Sequence, residues 1–163
     1  MFADENIPTF FRRPDFSPDG ELFILPAGQW QKSNESPPEY CAFVYRKSFI
    51  DKPTLVIPTN GEPALVCKFC PMLFRKPQEK QGMFQQNYYM VFAIATTGSV
   101  ILFDTLSLEP IYGMGNYHYA TITSLSWRGP NILAISSSDG YCSFMVFENG
   151  ELGEPYVPEG ELA

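Results

Sequence analysis

Three stretches of this chain follow one plan, and such repetition constrains a fold more tightly than any single motif. Each opens with an alternating strand that closes on an aromatic or small residue and a turn: Phe10–Gly20, Ala64–Pro71 and Ile122–Pro130. A second apolar run follows at Leu22–Gly28, Val91–Gly98 and Ile132–Gly140. A third, again alternating, spans Ala42–Lys47, Val100–Thr105 and Cys142–Glu148. A weaker fourth opens with proline, at Pro53–Pro58, Pro110–Met114 and Pro155–Pro158. The aromatic ending the first strand recurs at Phe16, Phe69 and Trp127, 53 and 58 residues apart.

Four strands in a row form a small sheet that cannot cover both of its faces alone and must stack on its neighbours. The order therefore predicts an all-β chain, about three blades of a β-propeller, with copies at about 9–58, 62–115 and 120–158. A two-layer β-sandwich is the rival. Propeller repeats of the Trp-Asp type run about 40–45 residues, so two copies should carry insertions. Gln29–Tyr40 and Pro71–Tyr88, rich in Pro, Gln, Lys, Ser and Glu, fit that role as surface loops. Asp19-Gly20 and Asp139-Gly140 stand where tight turns need positive φ, and Phe103-Asp104 occupies the place of the Trp-Asp dipeptide.

Composition agrees with β structure. There are 14 Phe and 9 Tyr, which favour pleated surfaces, and 15 Pro and 12 Gly to turn the chain. No run approaches the about 20 apolar residues of a membrane span. The N-terminus carries acids where a secretory leader would carry bases, so an intracellular protein is expected, and Cys41, Cys67, Cys70 and Cys142 read as buried thiols. Of the net charge of −7, residues 148–163 hold five Glu and no base, while the rest carries 13 acids against 11 bases. That balance gives no general attraction to nucleic acid. Glu148, Glu151 and Glu154 lead into an acidic tail at 159–163, which could draw a basic partner.

Candidate chemistry is sparse, and no catalytic residue, metal ligand or cofactor is indicated. Cys67 and Cys70 have zinc-ligand spacing but lie in a strand, where residues three apart face opposite ways. His118 is the sole histidine, so nucleophile–His–acid catalysis would have to run through it. A structural role tying a turn is the expectation. Arg12 and Arg13, adjacent in a strand, should face opposite ways, one toward a partner and one into a structural ion pair. Trp30, Phe84 and Tyr88 in the long loops are candidate exposed anchors for a partner protein.

Taken together, Phe10-Phe11-Arg12-Arg13, Phe16-Ser17-Pro18-Asp19-Gly20, Leu25-Pro26-Ala27-Gly28 and Phe43-Val44-Tyr45-Arg46-Lys47 resemble the middle, WD-repeat subunits of chromatin assembly factor 1. Asp139-Gly140-Tyr141-Cys142-Ser143-Phe144 with Glu151-Leu152-Gly153 downstream adds to that likeness, which covers about residues 6–156. The replication-independent HIRA-type chaperone propeller shares the paired Phe and Arg and the Glu-Leu-Gly ending, but differs at Pro-Ala-Gly and Tyr-Cys-Ser-Phe. The resemblance implies the last three or so blades of a seven-bladed ring in the nucleus. It implies a non-enzymatic scaffold that binds core histones and the large and small subunits of its complex, and assembles nucleosomes on newly replicated DNA. Contacts with other histone chaperones would run through segments outside this sequence, and neither sequence-specific DNA binding nor a membrane is implied. A generic WD-repeat adaptor is the alternative in another functional class.

Overall fold

A computed structural model describes residues 10–82 and 84–158. The acidic tail at 159–163 and the residue opening the first copy lie outside the described residues. Eleven strands build three antiparallel sheets, and no helix occurs among the described residues. The first holds β1 (Asp15–Phe16), β2 (Leu22–Trp30), β3 (Glu39–Arg46) and β4 (Leu55–Pro58) in sequence order. The second holds β5 (Val66–Arg75), β6 (Tyr88–Ala95), β7 (Ser99–Asp104) and β8 (Pro110–Gly115). The third has three strands, β9 (Ile122–Arg128), β10 (Ile132–Ser137) and β11 (Cys142–Val146).

Burial explains why the sheets stack. Along β6 the side chains alternate between faces. Met90, Phe92 and Ile94 pack with Leu22, Ile24, Ala42, Val44 and Ile57 of the first sheet. Val91, Ala93 and Ala95 pack with Ile122, Leu125, Leu133 and Ile135 of the third. The strand is apolar throughout because both of its faces are covered, and fully burying one such large side chain is worth about 1.5–3 kcal/mol. The chain-entry segment meets the first strand of the second sheet: Arg13 bridges Val66 in parallel, and its amide donates to the Leu65 carbonyl at 2.8 Å. First strands therefore lie side by side, with their sheets stacked against one another. The sandwich rival, two layers sharing one core, is not what forms.

The turns behave as their residues require. Gly20 and Gly140 adopt φ of 72° and 87°, where a Cβ would strain the backbone. Ser17 Oγ accepts from the Leu22 amide at 2.8 Å and pins the first turn. At the degenerate Trp-Asp position, Asp104 Oδ1 accepts from the amides of Leu106 (3.0 Å) and Ser107 (2.8 Å), capping the turn after β7.

Three expectations need correction. Both insertions are shorter than their composition suggests, because pairing resumes beyond a bulge: Gly28↔Cys41 to Trp30↔Glu39 extend β2 and β3, and Leu73↔Met90 to Arg75↔Tyr88 extend β5 and β6. Only 31–38 and 76–87 remain as loops. Cys142, placed among buried thiols, is exposed on the outermost strand β11, while Cys41, Cys67 and Cys70 are buried. Pro155–Pro158 does not form a fourth strand on the third sheet. Pro155 instead bridges Phe74, and the Tyr156 amide donates to the Leu73 carbonyl at 2.8 Å, on the free edge of β5. Leu152, 6% exposed, sinks into the core beside Phe74 and draws the segment there.

Candidate interaction surface

The densest polar cluster surrounds His118, in the connection leading to β9. Its Nδ1 faces Asp139 Oδ2 at 3.1 Å, and its Nε2 lies 2.9 Å from Ser143 Oγ. With a carboxylate opposite Nδ1, that nitrogen carries the proton and donates, leaving Nε2 to accept from the Ser143 hydroxyl. Asp139 also accepts from the amides of Tyr119 and Tyr141, each at 2.9 Å. Burial pushes the Asp139 carboxyl upward, but these amides with His118 and Ser137 outweigh it and hold it below the usual carboxylate range. The His118 side chain is 2% exposed.

A serine, a histidine and an aspartate in series invite comparison with a hydrolytic triad. Here Ser143 lies within a regular strand, and the enclosed imidazole holds three parts of one blade together: the entry connection, the β10–β11 turn and β11. The arrangement ties the turn, which is the role expected of His118.

Cys67 and Cys70 face opposite sides of β5, Cys67 among the residues packed on the first sheet and Cys70 among those packed on the third. They cannot converge on one ion. Burial raises both thiols above their ordinary range, Cys70 to about 12, and raises Cys41 to about 11.

The proposed contact residues are scattered rather than gathered in one patch. Arg13 is exposed, with its guanidinium 5.3 Å from the centre of the Phe11 ring, and it makes no ion pair among the described residues. Arg12 is half-buried, and its Nη1 donates to the Phe11 carbonyl at 2.7 Å. Trp30 stands 39% exposed at the end of β2. Phe84 corrects the expectation of an exposed anchor: at 7% it is buried in the seam between the first and second sheets, with Arg46 lying 4.9 Å over its ring. Tyr88 is half-buried, and its hydroxyl donates to Asp19 Oδ2 at 2.8 Å, tying the first sheet's Asp-Gly turn to the second sheet. Glu148, Glu151 and Glu154 are exposed. Glu151 accepts from the Tyr112 hydroxyl at 2.9 Å and from the Glu148 amide at 2.6 Å, and the Glu154 carbonyl accepts from the Arg75 amide at 2.7 Å.

Sequence reasoning missed two surfaces. One is the open face of the third sheet, a groove of about 460 Å³ lined by the apolar Ile132, Ala134, Phe144 and Val146 together with Ser126 and Arg128. The alternation of β10 and β11, apolar on both faces, carried that signal. The other is a basic recess formed by Arg75, the 76–87 loop and Tyr156. Nothing local in the sequence joins those two segments.

Consecutive antiparallel sheets stacked face to face, with their first strands adjacent, define an arc of WD-type β-propeller blades. Residues 1–152 match the family described as the CAF1B/HIR1 beta-propeller domain, and the chain belongs to that family. It is 37% identical over 162 residues to the chromatin assembly factor 1 subunit FAS2 homolog of Oryza sativa, covering 98% of this chain and 32% of the relative. It is 38% identical over 166 residues to a chromatin assembly factor 1 subunit of Mus musculus, covering 95% of this chain and 29% of that relative. Protein HIR1 of Gibberella zeae is 26% identical, over 97% of this chain and 15% of that protein. The chain thus spans about a third of the length of the chromatin assembly factor relatives it matches.

Proposed function

We propose that this chain is the scaffold arc of a chromatin assembly factor subunit, supplying the last blades of a seven-bladed ring. It acts in the nucleus, without catalysis of its own, by presenting rigid loops to the large and small subunits and to core histones during nucleosome assembly on replicated DNA. The observation that carries this reading is the level of identity. Chromatin assembly factor 1 relatives match at 35–38% across 91–99% of the chain, whereas HIR1 proteins match at 24–31%. The open third-sheet face fits a blade of the same ring stacked upon it, since such an apolar face needs cover.

Within that reading Trp30, Arg12, Arg13 and the exposed Glu148, Glu151 and Glu154 are the contact candidates, with the half-buried Tyr88 at the rim. Phe84 is not a direct contact, because its ring lies in the core.

The test is a titration of the intact subunit against purified core histones, with and without the large subunit, followed by co-purification of the complex. Retention of both partners, weakened by Trp30→Ala together with Arg13→Ala, is the expected result. Peptide binding with no affinity for histones or the large subunit would replace the scaffold with a generic adaptor.

A further inference from the structure

The recess beside the 76–87 loop is a built surface. It measures about 810 Å³, with Arg75, Lys76 and Lys80 on one wall and Tyr156 to Pro158 on the other. Both walls are held by backbone hydrogen bonds. The Lys76 amide donates to the Asn87 carbonyl at 3.0 Å and the Lys80 amide to the Pro77 carbonyl at 3.2 Å. Opposite them, the Arg75 amide donates to the Glu154 carbonyl at 2.7 Å and the Tyr156 amide to the Leu73 carbonyl at 2.8 Å. The Arg75 guanidinium sits 5.9 Å from the Tyr156 ring centre.

Charge gathers at this place, although Arg13, Arg46, Lys52 and Arg128 likewise have no carboxylate within 4.0 Å among the described residues. Lys32, Lys47 and Lys68 each have a carboxylate within 4.0 Å, at 3.6, 3.9 and 3.0 Å. Among the described residues, Arg75, Lys76 and Lys80 have none, although the chain carries 18 acids against 11 bases. Three cations with no carboxylate partner among the described residues thus line one cavity of an acidic protein, together with Gln78 and Gln81. The volume exceeds what a single anion fills, so the fitting ligand is an extended one. A nucleic acid strand is disfavoured, because three bases in a loop that Glu79 interrupts neutralise too few phosphates to hold a dense polyphosphate. Spaced carboxylates on a peptide suit the recess better, since carboxamide and peptide groups can pair with its backbone between the charges.

We propose that this recess docks a Glu/Asp-rich segment of a partner protein. The docking is electrostatic, so it weakens with salt.

The test uses the full chain and a fluorescein-labelled ten-residue peptide of alternating Glu and Gly, followed by anisotropy at low ionic strength. Binding is expected to weaken about tenfold or more in Lys76→Glu/Lys80→Glu, since each reversal replaces an attraction with a repulsion. Lys47→Glu/Lys52→Glu, with the same change of net charge elsewhere, should retain most of it. Four results would overturn the proposal: equal loss in both double variants, no loss in either, tighter binding of a single-stranded oligonucleotide of equal charge, or a several-fold gain in Glu159→Gln/Glu161→Gln. The last would make the chain's own acidic end the occupant. No histone or companion subunit enters this measurement, so its failure leaves the scaffold reading untouched, and the reverse holds too.

Discussion

Removing one hydroxyl separates a structural His118 from a catalytic one. In Ser143→Ala the Cβ stays, so no cavity opens, but His118 Nε2 loses its partner at 2.9 Å. With the imidazole 2% exposed, little solvent reaches Nε2 to take the place of the hydroxyl. An enclosed polar group without a partner costs about 1–3 kcal/mol. In a domain of this size each kcal/mol lowers Tm by about 2–4 °C, so a fall of about 2–12 °C is expected. Urea unfolding followed by tryptophan fluorescence suits the purpose, since Trp127 lies on β9 of the same sheet. Ser143→Thr, which keeps the hydroxyl on a β-compatible side chain, should recover most of the loss. Hydrolysis of p-nitrophenyl acetate is measured on the same samples and should not change. An unaltered unfolding midpoint in Ser143→Ala, above all with loss of ester hydrolysis, would refute the reasoning.

Gly28→Ala should destabilise by about 1–3 kcal/mol through overpacking, because its Cβ would stand 2.7 Å from the Phe43 ring and 2.9 Å from the Cys41 carbonyl; a urea midpoint equal to wild type would contradict this. Of the four cysteines, Cys142 alone should react quickly with a disulfide reagent at neutral pH, since burial both encloses Cys41 and Cys70 and raises their thiols to about 11 and 12; mass spectrometry of the labelled peptides checks it. Asp139 is lowered in the folded chain, so its contribution is full above the unfolded value of about 3.9 and is lost as pH falls through the folded one. The stability gap between wild type and Asp139→Asn should therefore be wide at pH 6 and shrink as pH falls below about 3.9.

The blades were legible because burial writes itself into periodicity. The unbroken apolar run Met90–Ala95 announces a strand covered on both faces, and the Asp-Gly pairs mark turns that only positive φ can close. The length of β2 and β5 was hidden because the apolar runs end at Gly28 and Pro71, at bulges beyond which pairing resumes. Phe84 misled because a Gln-rich loop suggests solvent, whereas this one folds its ring into an inter-sheet seam. The partners of His118 come from 21 and 25 residues away, a distance at which local pattern carries no information. The same holds for the basic recess, whose second wall is set by where Leu152 finds an apolar place.

Strand order within every sheet follows chain order, so each hydrogen-bonded neighbour is also the next strand along the sequence. Such sheets close by short hairpins in succession, the quick kind of β assembly. The middle sheet nevertheless emerges from the ribosome with Val91, Ala93 and Ala95 bare, and they stay bare until Leu133 and Ile135 arrive to cover them. Synthesis of those intervening residues is the interval in which the nascent chain is most exposed to aggregation, and in which a holding chaperone has most to protect.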